Sequence, residues 1–196
     1  MKGPVPVLLM VRALGAGGTE RQLTETARFL DRSRFQPHVG CLIPEGFRQV
    51  ELELAGVPVL SIPVQSFASA AAVRGALQIG RYIRAHDIRI VHTFDVPMNV
   101  FGVPSALLAR TPIVLSSQRA HRSLTTPMFR RILRRLDGVV DGIVVNCEAM
   151  RRHLIDDEHA PADRIHVCYN GIDTGVYFPA LSQPGGRENR SGEEEN

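Results

Sequence analysis

Short runs of β-branched and apolar residues alternate along this chain with longer stretches of helical apolar spacing. That alternation admits few folds other than a parallel sheet assembled from βαβ units. The runs are Val5–Val11, His38–Ile43, Val57–Ile62, Ile88–Thr93, Ile113–Ser117, Gly142–Asn146 and Arg164–Cys168. Each is apolar on both faces, as a strand covered by helices above and below should be. Between them, Glu20–Leu30 sets Leu23, Ala27 and Leu30 on one stripe, and Val73–Ile83 repeats Val73, Ala76, Leu77, Gly80 and Ile83 at helical spacing. Val103–Ala109, Met128–Leu136 and Glu148–Ile155 follow the same period, with Pro97, Pro112 and Pro127 marking starts and stops. The expected fold class is α/β, a Rossmann-like parallel sheet with helices on both faces.

At 196 residues and 44% apolar content the chain can bury a core without a disulfide or metal staple. Cys41, Cys147 and Cys168 are odd in number and widely spaced, which indicates neither a disulfide framework nor a zinc site. The first apolar run is too short for a signal peptide or a membrane span, so a cytoplasmic setting is expected. After Pro179 the composition turns to LSQPGGRENRSGEEEN. The expected organisation is one domain over 1–179 and a disordered tail over 180–196.

Lys2 is the only lysine, so chemistry that needs a Schiff-base or phosphate-clamping lysine has no candidate inside the fold. From Val96 to Leu136 there are seven arginines and no acid, which implies a local positive field. Within it, MFRRILRRL puts Met128, Phe129, Ile132, Leu133 and Leu136 on one helical face and Arg130, Arg131, Arg134 and Arg135 on the other. Such a helix can lie on an anionic membrane surface, at the inner face of the membrane, or pack on the sheet with its arginines in water. Nucleic acid is not expected, because no aromatic residues interleave the arginines.

GAGGTE follows the first strand and opens the first helix, where backbone N–H groups and the helix dipole favour an anion. Thr19 and Gln22 fit a capping box that would set the helix start. The loop fails the dinucleotide fingerprint, because Glu20 replaces the third glycine and the second strand ends without an acid for a ribose. A nucleotide-dependent reductase or epimerase is therefore disfavoured. The P-loop pattern is also absent. A tight turn without a ligand is the plainer reading, but the adjacent Gly17 and Gly18 exceed what a turn needs.

Ligands of open parallel sheets sit at the carboxyl ends of the strands. The polar residues expected on that rim are His92, Thr93, Asp95 and Asn99 after the fourth strand, then Ser116, Ser117, Gln118, Arg119, His121 and Arg122 after the fifth. Asn146 and Glu148 follow the sixth. The run SSQRAHR suits sugar hydroxyls or an anionic group, or is an ordinary solvated loop. His92 is as readily a core histidine as a functional one. No carboxylate pair at glycosidase spacing and no Asp-x-Asp motif are present, so no metal is expected. Glu148 complements the dipole of its helix.

LLMVRALGAGGTERQL, IRIVHTFDVPMNVFGVPSALLARTPIVLSSQR, DGIVVNCEAMRRHLI and PADRIHVCYNGIDTGVYFP together resemble successive blocks of the N-terminal domain of family 4 retaining glycosyltransferases, which have the two-domain GT-B fold. The resemblance spans nearly all of residues 5–179. It implies an acceptor-side domain in which Gly17 and Gly18 approach the diphosphate of a nucleoside diphosphate sugar, the donor substrate, without a metal or other cofactor. Thr19, Glu20, Asp95, Asn99, Gln118, Arg119 and His121 would lie on the acceptor side, and Asn170 to Asp173 would lead toward the second domain. The Arg/Lys pair and Glu-x7-Glu motif that the family carries in its second domain do not follow Asp173 here. The donor-binding domain is thus expected to be missing or supplied by a separate chain. Many members carry a histidine where this chain has Gln118, followed by Arg119. The alternative is a non-catalytic anion- or glycan-binding module.

Overall fold

The computed structural model describes residues 3–172 and 174. Asp173 and the expected tail lie outside them.

Seven parallel strands form one sheet in the order β3-β2-β1-β4-β5-β6-β7. They are β1 Val5–Ala13, β2 Phe35–Ile43, β3 Val59–Ser61, β4 Ile90–Thr93, β5 Ile113–Gln118, β6 Gly142–Val145 and β7 Ile165–Val167. The helices are α1 Gly18–Phe29, α2 Phe47–Leu54, α3 Ala70–Ala85, α4 Val96–Leu108, α5 Pro127–Asp137 and α6 Glu148–Asp156. All seven expected strands and the α/β class are present.

The two-residue period of β1 divides the core. Val7, Leu9 and Val11 pack with Leu23 and Ala27 of α1, Leu52 of α2 and Val39 and Cys41 of β2. Leu8 and Met10 face the other way, onto Ile79 and Ile83 of α3 and Met98, Phe101 and Ala106 of α4.

Three elements differ from the sequence expectation. The helix α2 was not anticipated, because only Arg48 and Leu52 of its eight residues are buried and its apolar stripe is too narrow to stand out. α4 starts seven residues before the expected Val103, since Asp95 caps it by accepting from the Met98 N–H and Pro97 sits in its first turn. α1 starts at Gly18 with Gly17 as its cap, so the Thr19–Gln22 capping box is not used. Thr19 lies inside the helix, and the largely buried Gln22 side chain donates to the Gly171 carbonyl at 2.8 Å instead.

Candidate functional site at the strand switch

The chain leaves β1 toward β2 and β3, then returns to β4 on the other flank of β1. A crevice opens where such an order reverses, at the carboxyl ends of β1 and β4. The N-termini of α1 and α4 both meet it.

The first wall is the β1–α1 loop. Buried Leu14 anchors it, donating its N–H to Ile43 and accepting from the Arg48 N–H, each at 3.3 Å. Gly46 permits that approach: a Cβ there would stand 2.3 Å from the Leu14 carbonyl oxygen, at a φ of +157°. Gly17 has φ −65° and ψ 161°, which any residue adopts. A Cβ on Gly18 would meet nothing within 4 Å. Backbone conformation therefore requires a glycine at neither position, and the space over Gly18 is open. Over Gly17 lies the Glu20 carboxylate, within contact distance of where a Cβ would be. Among the described residues no side chain accepts a hydrogen bond from the Gly18 or Thr19 amides.

The second wall is the start of α4. Asp95 accepts from the Arg12 N–H at 2.6 Å and from the Met98 N–H at 2.8 Å, so both its oxygens are engaged. Burial pushes its carboxyl above the usual range against those two bonds, and the Glu20 charge adds to the rise. Asp95 is a brace between the two walls.

The expectation of a shared polar rim needs correction. Asn99 is buried; its amide accepts from the Thr93 hydroxyl and donates to the Ser117 carbonyl at 2.8 Å. Gln118 is 2% exposed, donates to the Ala120 carbonyl and accepts from Arg122 Nε at 3.0 Å. Ser116, Ser117 and Arg122 are buried as well. His92 stands in β4 with Nε2 2.8 Å from the Ser117 hydroxyl. Burial first, then the Arg119 charge, pushes it down to about 3, so it is a neutral packing histidine. Of SSQRAHR, Arg119, Ala120 and His121 stay open to solvent at least in part.

Arg119 sits half-buried over the Phe94 ring, 5.0 Å from its centroid, and donates to Asn170 Oδ1 at 2.7 Å. With Gln22, Phe29, Cys168, Tyr169 and Ile172 it lines a cavity of about 480 Å³ between α1 and the segment after β7. His121 faces elsewhere. Its ring stacks on His153 at 3.4 Å between centroids, and Asp157 Oδ2 lies 2.6 Å from His153 Nδ1. Ligand atoms of these three residues lie within 4.8 Å of one another. His153 Nε2 also accepts from the Arg122 N–H, so both its nitrogens are engaged, and face-to-face rings do not aim their lone pairs at one point.

The sequence reading missed the larger cavity on this side of the sheet. It measures about 930 Å³ and lies at the ends of β1, β2 and β3, with Arg12, Glu45, Gln65, Ser66, Phe67 and Phe129 among its walls. Two loops without a recognisable motif, those after β2 and β3, build much of it, with the first turns of α3, α4 and α5. The one available signal was the polar and aromatic run Gln65–Phe67 directly behind the third strand.

The family model for Glycosyltransferase Family 4 matches residues 16–176, most of the chain and both walls of the crevice. The chain belongs to that family. As a family 4 glycosyltransferase domain it matches the HepE protein of Anabaena, solved with UDP and glucose, at 20% identity and a TM-score of 0.71 over 87% of this chain and 46% of that one. It matches a glycosyltransferase of Rickettsia africae at 20% identity and a TM-score of 0.70 over 93% and 47% of the two chains. It matches MurG of Acinetobacter baumannii at 17% identity and a TM-score of 0.62 over 87% and 46%. These likenesses establish the fold, and the chain spans about half the length of each. No curated protein sequence matches it. Among the described residues no helix is long and apolar enough to cross a membrane.

Proposed function

We propose that this chain is the acceptor-side half of an enzyme that moves a sugar from a nucleoside diphosphate sugar to a hydroxyl acceptor, and that turnover requires a donor-binding half. The observation that carries the reading is the open α1 N-terminus: Gly18 has free space above it and a backbone that needs no glycine, at the switch crevice of a family 4 glycosyltransferase domain. Amides aimed at that space stabilise the charge that develops on a leaving diphosphate. Glu20 swings off Gly17 to admit it.

The acceptor enters through the 930 Å³ cavity, where Arg12, Glu45, Gln65 and Ser66 offer partners for hydroxyls and Phe67 and Phe129 offer apolar wall. This reading moves the acceptor side away from Asn99 and Gln118, whose polar atoms are spent inside the domain. Arg119 and Asn170 border the segment leading toward a second domain, and their bond fixes its departure. Positioning and exclusion of water need both walls of a cleft, so this half alone transfers no sugar.

The test is a radiolabelled sugar-transfer assay with this chain alone, then with a donor-binding half supplied in trans. Transfer only in the combined reaction supports the proposal. Acceptor binding by calorimetry with no transfer in either would favour the non-catalytic binding module.

A further inference from the structure

The arginine-rich stretch looks uniformly cationic in sequence, yet the fold sorts its members. Glu158, its side chain wholly buried, accepts from Arg130 Nε and Arg134 Nε, each at 2.7 Å. Arg134 Nη2 also donates to the Asp157 carbonyl at 3.2 Å. Arg122 is bound on both terminal nitrogens by Asp137, at 2.6 and 2.7 Å. Arg131 is exposed.

Between the 3-10 turn Arg122–Leu124 and α5 lies a cavity of about 530 Å³. Arg130, Arg131 and Arg134 line it, with Arg122, Ser123 and Thr125 opposite. Neither Glu158 nor Asp137 is on its wall. The acids that order these arginines grip them from behind, and the face they leave to the cavity is cationic and hydroxylic. Among the described residues Arg130 uses only Nε, so its two terminal nitrogens are not engaged in protein hydrogen bonds. A guanidinium already held by one carboxylate loses little rotamer freedom when it takes a second partner.

We infer that this cavity is a binding site for a phosphate-type oxyanion, held by the Arg130 and Arg131 guanidinium groups with the Thr125 hydroxyl, while the Ser123 hydroxyl is bound to His121 Nδ1 at 2.8 Å. A guanidinium fork matches carboxylate and phosphate alike, and two forks with a hydroxyl donor beside them serve the additional oxygens that phosphate has and carboxylate lacks. Free phosphate and the headgroup of an anionic lipid present the same chemistry. The neighbouring Leu124 and Met128, 81% and 64% exposed, would lie beside a lipid's apolar part. The site does not rest on the transferase reading, and it is separate from the glycine loop.

The experiment measures binding of the full chain to inorganic phosphate by calorimetry and to phosphatidylglycerol vesicles by co-sedimentation, with phosphatidylcholine vesicles as reference. Arg131→Gln removes one lining cation that holds no other residue in place, and Arg81→Gln makes the same charge change on the exposed side of α3. Saturable binding to either probe, weakened about tenfold by Arg131→Gln and unchanged by Arg81→Gln, is the expected result. Binding to phosphate as well as vesicles identifies a free oxyanion as sufficient, and binding to vesicles alone identifies the lipid as the source. Absence of binding to both probes, or equal losses in the two variants, overturns the inference.

Discussion

Replacing Asp137 with Ala tests how the loop after β5 is held. Arg122 is 2% exposed, its terminal nitrogens sit 2.6 and 2.7 Å from the two Asp137 oxygens, and its Nε donates to buried Gln118. Removal of the carboxylate leaves a guanidinium in the domain interior with a single neutral partner. Breaking one side of a buried pair costs about 3–5 kcal/mol, because the remaining charge keeps its desolvation penalty. For a chain of this size that loss lowers the melting temperature by about 10 °C. The double replacement Arg122→Met with Asp137→Leu removes both charges and should recover most of the loss, since the pair itself contributes little beyond well-packed apolar side chains. Guanidinium denaturation of the three proteins at neutral pH measures this directly. A loss under about 1 kcal/mol for Asp137→Ala, or a double variant no more stable than the single one, would refute the account of a desolvated, mutually dependent pair.

Two histidines held neutral by desolvation, His38 and His92, make the fold acid-labile. Burial holds His38 below its ordinary 6.5, and burial with the Arg119 charge pushes His92 down to about 3. The unfolded chain takes up protons first as the pH falls, so stability drops from about pH 6.5 downward, with His92 alone costing about 2 kcal/mol by pH 5. Denaturation midpoints at pH 7 and pH 5 should differ accordingly, and His92→Gln should flatten the dependence; an unchanged slope contradicts a buried neutral imidazole. At the glycine loop, Glu20→Gln removes the carboxylate over Gly17 and should tighten pyrophosphate binding several-fold, while Gly18→Val should abolish it. If calorimetry shows neither change, the loop is only a turn. Burial and the Glu45 charge push the Cys41 thiol up to about 12, so it should resist a thiol reagent in the native state while exposed Cys168 reacts, as mass mapping of the labelled peptides would show.

Much of the architecture is written in local periodicity. Residues two apart in β1 and three or four apart in α1 share a face whatever surrounds them, so the seven strands, the α/β class and the glycine loop at the first strand end are legible in the chain itself. Residue type at a strand end says less. Gln118 and Arg119 are neighbours, yet Gln118 ends β5 inside the domain, where it spends its amide on Ala120 and Arg122, and Arg119, one residue past the strand, reaches Phe94 and Asn170.

Charge followed the same division. Seven arginines without an intervening acid determine that this part of the chain is locally basic. Which of them remain free was settled in space, by Asp137 fifteen residues beyond Arg122 and by Glu158, which reaches back from the far side of β6 to Arg130 and Arg134. Periodicity acts between residues a few positions apart and survives in any environment, whereas an ion pair or a cavity depends on groups that only folding brings within a few ångströms. The 930 Å³ cavity belongs to the second kind, with walls from three strand ends, two loops and three helices that only the tertiary fold brings together.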